Sequence, residues 1–145
     1  MTLDEPVPDA ACHPRVLVLD DEPRLLQASL RLLPRWGYRC EAFADARAAL
    51  ATIAREPPDL LLVDIYMPDL DGFQVIARAR RLAPAMRIVA MSGDVILGMP
   101  THVLSMSAHL GADATLHKPI DPERLRATLT RLLPAAAAAA DAPPD

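Results

Sequence analysis

The run Asp59-Leu60-Leu61-Leu62-Val63-Asp64 decides the fold. Four consecutive apolar residues begin just after the Pro57-Pro58 break and stop at an acid. They do not alternate with polar residues, so the run reads as a strand covered on both faces. Similar apolar runs lie at 15–19, 87–91 and, shorter, 114–117, and residues 38–43 read as a further strand. Helical spacing fills the intervals. Pro23 opens a stripe carrying Leu25, Leu26, Leu30 and Leu33, with Gly37 as its stop. Asp45 caps a helix to about 55, with Leu50 and Ile53 inward. Asp71 caps a helix over 72–82, with Phe73, Ile76 and Ala79 or Ala83 on one face. Val103, Met106 and Leu110 mark a fourth helix over 101–110, ended by Gly111. Asp121-Pro122 opens a fifth, which shows Leu125, Leu129, Leu132 and Leu133. Five strand–helix units in alternation predict an α/β fold with a parallel sheet covered by helices.

Composition agrees with one globular domain. The chain has 145 residues, 52% apolar and 23% charged. Aromatic residues are 3%, too few for a base-stacking platform, and the net charge of −4 gives no basic surface for a phosphate backbone, so direct DNA binding is not expected. Cys12 and Cys40 form neither a disulfide framework nor a metal pattern. No apolar run is long enough to cross a bilayer, and the acidic N-terminus lacks a secretory pattern, so the expectation is a cytoplasmic protein. Residues 1–13 read as a flexible arm, 14–133 as the domain, and 134–145 as an Ala/Pro-rich tail or cut linker.

In open parallel sheets the working groups sit at the carboxyl ends of the strands. Those ends carry Asp20 and Asp21, then Asp64, Ser92, and Lys118 with Pro119. Three carboxylates in one cleft repel, by roughly 4 kcal/mol per pair at about 4 Å and a surface-like dielectric. A hard divalent cation such as Mg²⁺ relieves that repulsion, and it takes oxygen ligands. With the cation present, Asp64 can attack a phosphoryl group as a nucleophile. Lys118 and the Ser92 hydroxyl can hold the phosphoryl oxygens.

Asp20-Asp21, the stretch Asp64-Ile65-Tyr66-Met67-Pro68 with Asp71-Gly72, Ser92, and Lys118-Pro119 resemble the receiver domain of two-component response regulators. The resemblance covers about 14–133. It implies a flavodoxin-like, doubly wound five-stranded sheet of order 2-1-3-4-5 with five helices. It also implies that Asp64 is phosphorylated by a phosphohistidine on a sensor histidine kinase or a histidine phosphotransfer protein. Asp21, Asp64 and the backbone carbonyl of Tyr66 would bind Mg²⁺, with Asp20 acting mainly through a metal-bound water. Ser92 and Lys118 would hold the phosphoryl oxygens. Output would run through the face from the fourth helix to the fifth, toward an unknown downstream protein or a second copy of the chain. Such a domain is a phosphoacceptor with slow dephosphorylation rather than an enzyme, either stand-alone or cut from a longer protein.

Four features depart from the family pattern. Thr115 stands where an aromatic usually rotates inward on activation. The stretch from Ser92 to Gly111 is long, with Gly98, Met99 and Pro100 inside it. Tyr66 borders the phosphoryl site, where its ring would restrict attacking water. Pro34 should end or kink the first helix. Asp69 and Asp94 are expected as exposed loop acids, His102 and His109 as surface residues, and Met91, Met99 and Met106 as core or interface filler. Arg24, Arg31, Arg35 and Arg39 are expected on a solvated face. Two rival functions remain at this level: a receiver-shaped scaffold that binds without phosphorylation, and a metal-dependent phosphohydrolase. An FMN site is disfavoured by the acids after the first strand.

Overall fold

The computed structural model describes residues 13–66, 72–93 and 110–134. Within them the chain runs β1 (Arg15–Leu19), α1 (Pro23–Arg35), β2 (Arg39–Phe43), α2 (Ala46–Arg55), β3 (Leu60–Asp64), α3 (Gly72–Leu82), β4 (Arg87–Ser92), β5 (Ala114–His117) and α4 (Pro122–Leu132). The five strands form one sheet of order β2-β1-β3-β4-β5, all parallel, as expected. Four helices are found among the described residues. The helix expected over 101–110 lies outside them but for its last residue. So do most of the arm, the tail after 134, and Met67, Pro68, Asp69, Asp71, Asp94, Met99, His102, Met106 and His109.

The unbroken apolar strands supply two cores. Leu17, Leu19, Leu61, Val63, Ile88 and Ala90 face α2 and α3, and pack with Ile53, Ile76 and Ala79. Val16, Val18, Leu60, Leu62, Val89 and Met91 face the other way, against Leu33 of α1 and Leu125 and Leu129 of α4. Alternate residues of one strand thus enter opposite layers, which is why no polar residue interrupts β1, β3 or β4 between their ends. Met91 is a core residue here, as expected, and is fully buried.

Helix ends follow local chemistry. Asp45 and Asp121 each cap by accepting a hydrogen bond, from Arg47 N and Glu123 N respectively, both at 3.2 Å. Pro34 removes a donor, and α1 ends one residue later. Gly37 then turns at φ 95° and donates to Pro34 O at 3.2 Å, while Tyr38 N donates to Leu33 O at 3.1 Å. This pair of bonds is the Schellman pattern, and its left-handed residue favours glycine. One expectation fails. The apolar stripe of α1 predicts a buried Leu30, but Leu30 is 47% exposed and Ser29 is buried instead. Ser29 meets its polar requirement by donating to Leu25 O at 2.8 Å. The four arginines 24, 31, 35 and 39 are exposed, as expected.

Candidate functional site

The strand ends gather the acids. Asp20 follows β1 and is held there by its own N–H, which donates to Phe43 O at 3.1 Å. Its Oδ1 accepts from Glu22 N at 2.8 Å, an Asx-type turn that leads into α1. Asp64 is the last residue of β3, and its Oδ1 accepts from Tyr66 N at 3.2 Å. Both carboxyls are almost wholly buried, whereas Asp21 is exposed. Oxygens of Asp20, Asp21 and Asp64 lie within 4.8 Å of one another.

Lys118 enters from the far side. Its N–H donates to Ser92 O at 2.9 Å, fixing the end of β5 against the end of β4. Its ammonium lies 2.6 Å from Asp20 Oδ2, 3.4 Å from Asp64 Oδ2 and 3.9 Å from Glu22 Oε2. Ser92 is buried at the end of β4, and the Lys118-Pro119 peptide is cis. Tyr66, two residues after Asp64, is 42% exposed. Of the six residues singled out from sequence, Asp20, Asp21, Asp64 and Lys118 meet directly. Ser92 adjoins through the Lys118 backbone, and Tyr66 through its N–H.

Burial raises the Asp64 pKa to about 6, with the neighbouring Asp20 charge adding to the rise and Lys118 only partly offsetting it. Burial likewise raises Asp20, against the pull of Lys118. Burial alone would lower Lys118, but Asp20 and Asp64 outweigh it and leave its pKa raised. The ammonium is therefore charged at neutral pH.

The donor set suits a hard cation. Every candidate ligand atom is a carboxylate oxygen, and no His or Cys takes part. Asp20 Oδ2 is sealed from solvent and has no hydrogen-bond donor of good geometry. The Lys118 ammonium approaches it at 2.6 Å, a charged contact that leaves this oxygen a lone pair to spare. A buried carboxylate oxygen of Asp20, in a cluster of acids whose oxygens lie within 4.8 Å of one another, fits Mg²⁺ or a water held by it.

Three residues that shape the site carried no assigned role in the sequence reading. A Cβ at Gly72 would meet Ile65 Cα at 2.4 Å and Asp64 O at 2.6 Å, so glycine lets α3 start against the backbone that carries Asp64. Gly72 N also donates to Ile65 O at 2.9 Å. A Cβ at Gly93 would meet the Lys118 stem at 3.1 Å. Glu22 joins the ion cluster from the start of α1. In the sequence Gly72 stood out only as part of the Asp71-Gly72 pair, Glu22 as a third consecutive acid and Gly93 as a lone glycine, because the approaches they permit are tertiary.

Comparison with known proteins agrees with this geometry. The family described as "Response regulator receiver domain" matches residues 16–130. The chain is 35% identical over 124 residues to the response regulator GtcR of Aneurinibacillus migulanus, covering 80% of this chain and 48% of that protein. It is 31% identical over 117 residues to the sensor histidine kinase RcsC of Salmonella typhi, covering 79% of this chain and 12% of that protein. A CheY-like receiver domain structure from Methanospirillum hungatei superposes with a TM-score of 0.77 at 29% identity, covering 88% of this chain and 98% of that one. The chain spans about half the length of the curated regulators it matches. With a profile match across most of its length and the five-stranded order already described, the chain belongs to the response regulator receiver domain family.

Proposed function

We propose that Asp64 is the phosphoacceptor of this receiver and that Asp20, Asp21, Ser92 and Lys118 serve the transfer. The observation that carries the reading is the meeting of three carboxylates from two strand ends with one lysine ammonium. The family interacts with histidine kinases, and its members bind Mg²⁺ at an acidic cluster of this kind. Here Asp21, Asp64 and the Tyr66 carbonyl would hold the ion, with Asp20 acting through water. The ion, when bound, neutralises charge on the phosphoryl oxygens.

An Asp64 carboxylate oxygen attacks phosphorus as the bond from phosphorus to the donor histidine nitrogen breaks. The nitrogen keeps the electron pair, and the product is an aspartyl phosphate plus free histidine. Lys118 already stands beside Asp64 Oδ2 and can pair with an oxygen of the arriving group. Ser92 offers its hydroxyl from the neighbouring strand. The protein is then a phosphoacceptor that promotes its own transfer, not an enzyme that turns over substrate.

The receiver would occupy 14–133, with 1–13 as an arm and 134–145 as a tail or linker. Among the described residues no helix is long and apolar enough to cross a membrane, and a cytoplasmic location is consistent with this. The output would be a change in binding to a downstream protein or to a second copy. A second reading, a scaffold that binds without phosphorylation, is favoured by Thr115, which is exposed on β5 where a switch aromatic would stand. Acetyl phosphate with Mg²⁺ tests the first reading. The intact parent should gain one phosphoryl mass and Asp64→Asn none, while equal gain in both would refute it. Partner affinity unmoved by beryllofluoride and Mg²⁺ would favour the scaffold.

A further inference from the structure

Lys118 faces three carboxylates, and only two of them belong to the cation cluster. Asp20 and Asp64 are buried and share that cluster with Asp21. Glu22 stands outside it, 3.9 Å from the ammonium and with its side chain 54% exposed. It occupies the cap position of α1, yet its carboxylate makes no capping hydrogen bond. Its backbone is fixed all the same, because its N–H donates to Asp20 Oδ1 at 2.8 Å. The side chain thus starts from a fixed backbone at the rim of the site, and its carboxylate, which makes no capping hydrogen bond, faces Lys118.

We infer that Glu22 is a positioning residue for Lys118 that sets how readily the site admits an anionic phosphodonor. The inference rests on Asp64 being the phosphoacceptor. Once Asp20 and Asp64 turn their charge toward a cation, their hold on Lys118 weakens. Glu22 is then the carboxylate beside the ammonium that is not drawn away. An arriving phosphoryl group must take Lys118 from it and must approach against its charge. Among the described residues four carboxylates, Asp20, Asp21, Glu22 and Asp64, gather around the Lys118 ammonium, so each negative charge helps a cation and hinders an anion. Glu22 therefore has two effects of opposite sign, favouring Mg²⁺ and opposing the donor.

Glu22→Gln removes the charge and keeps the shape, and Glu22→Asp keeps the charge. Two readouts are needed: the Mg²⁺ dissociation constant by calorimetry, and the rate of phosphorylation against acetyl phosphate concentration at saturating Mg²⁺. For a half-exposed charge about 4 Å away, Glu22→Gln should weaken Mg²⁺ binding about two- to fivefold and raise the phosphorylation efficiency by a similar factor. The gain should appear in the apparent KM for the donor, and both effects should shrink in high salt. Glu22→Asp should behave as the parent does. Loss on both readouts, no change on either, or changes that ignore salt would overturn the inference. A parent that takes up no phosphoryl group would overturn the Asp64 reading and this one with it. A phosphorylated parent with an indifferent Glu22→Gln would overturn only this one.

Discussion

At Asp64 the fold sets burial against charge. The carboxyl is almost sealed from solvent beside a second buried acid, and its pKa rises from 3.8 to about 6. The folded protein therefore keeps a proton that the unfolded chain releases across that window. The stability this group contributes is full below the unfolded pKa and is lost as pH rises through about 6. Asp20 shifts in the same direction. In metal-free buffer, Asp64→Asn should gain thermal stability relative to the parent on going from about pH 5 to about pH 7.5, and Mg²⁺ should close that gap by stabilising the parent alone. Melting curves at the two pH values check this; a parent-to-variant difference that does not change with pH contradicts it. Tyr66 makes a separate prediction. It stands two residues after Asp64 and its N–H donates to Asp64 Oδ1, so Tyr66→Asn should lose phosphate faster than the parent, measured as decay of the phosphorylated mass. A rate no faster than the parent's counts against a shielding ring.

Between elements, the join of β3 to α3 matters most. Asp64 can be held in place only if the helix that follows begins against its backbone, and Gly72 makes that possible. Gly72→Ala would put a methyl into Ile65 Cα and Asp64 O, and the helix must move. The expected cost is roughly 1–3 kcal/mol of stability, with slower phosphorylation because Asp64 is displaced. Chemical denaturation together with acetyl phosphate kinetics tests this; an unchanged midpoint and rate would mean that α3 does not position the acid. This contact was not legible in the sequence, since a glycine opening a helix reads as local backbone freedom. The caps at Asp45 and Asp121 were legible, because a cap is a bond across two residues. The turn at Gly37 was legible as a stop for the same reason. Leu30 was misread because helical periodicity gives a stripe but not its edge, and the layer above the sheet chose Ser29 instead.

For the whole molecule, the sheet could be read before the site. Strands such as β3 are apolar up to the acid that ends them because their residues enter two cores, and that pattern admits few architectures. The parallel sheet then fixed where Asp20, Asp21, Asp64, Ser92 and Lys118 would meet, since all end on one edge. What remained hidden were the angles of approach: the ionic contact of Lys118 with Asp20 Oδ2, and Glu22 at the rim. These depend on how side chains from β1, α1 and the end of β5 cross in space, and no spacing along the chain encodes that. The central claim is that this edge makes residue 64 an acyl phosphate. Reduction with borohydride after treatment with acetyl phosphate and Mg²⁺ converts such an aspartate to homoserine. Peptide mapping should find homoserine at position 64, and only when Mg²⁺ was present. Homoserine at another acid, or none anywhere in a protein that has gained phosphate, would contradict the account.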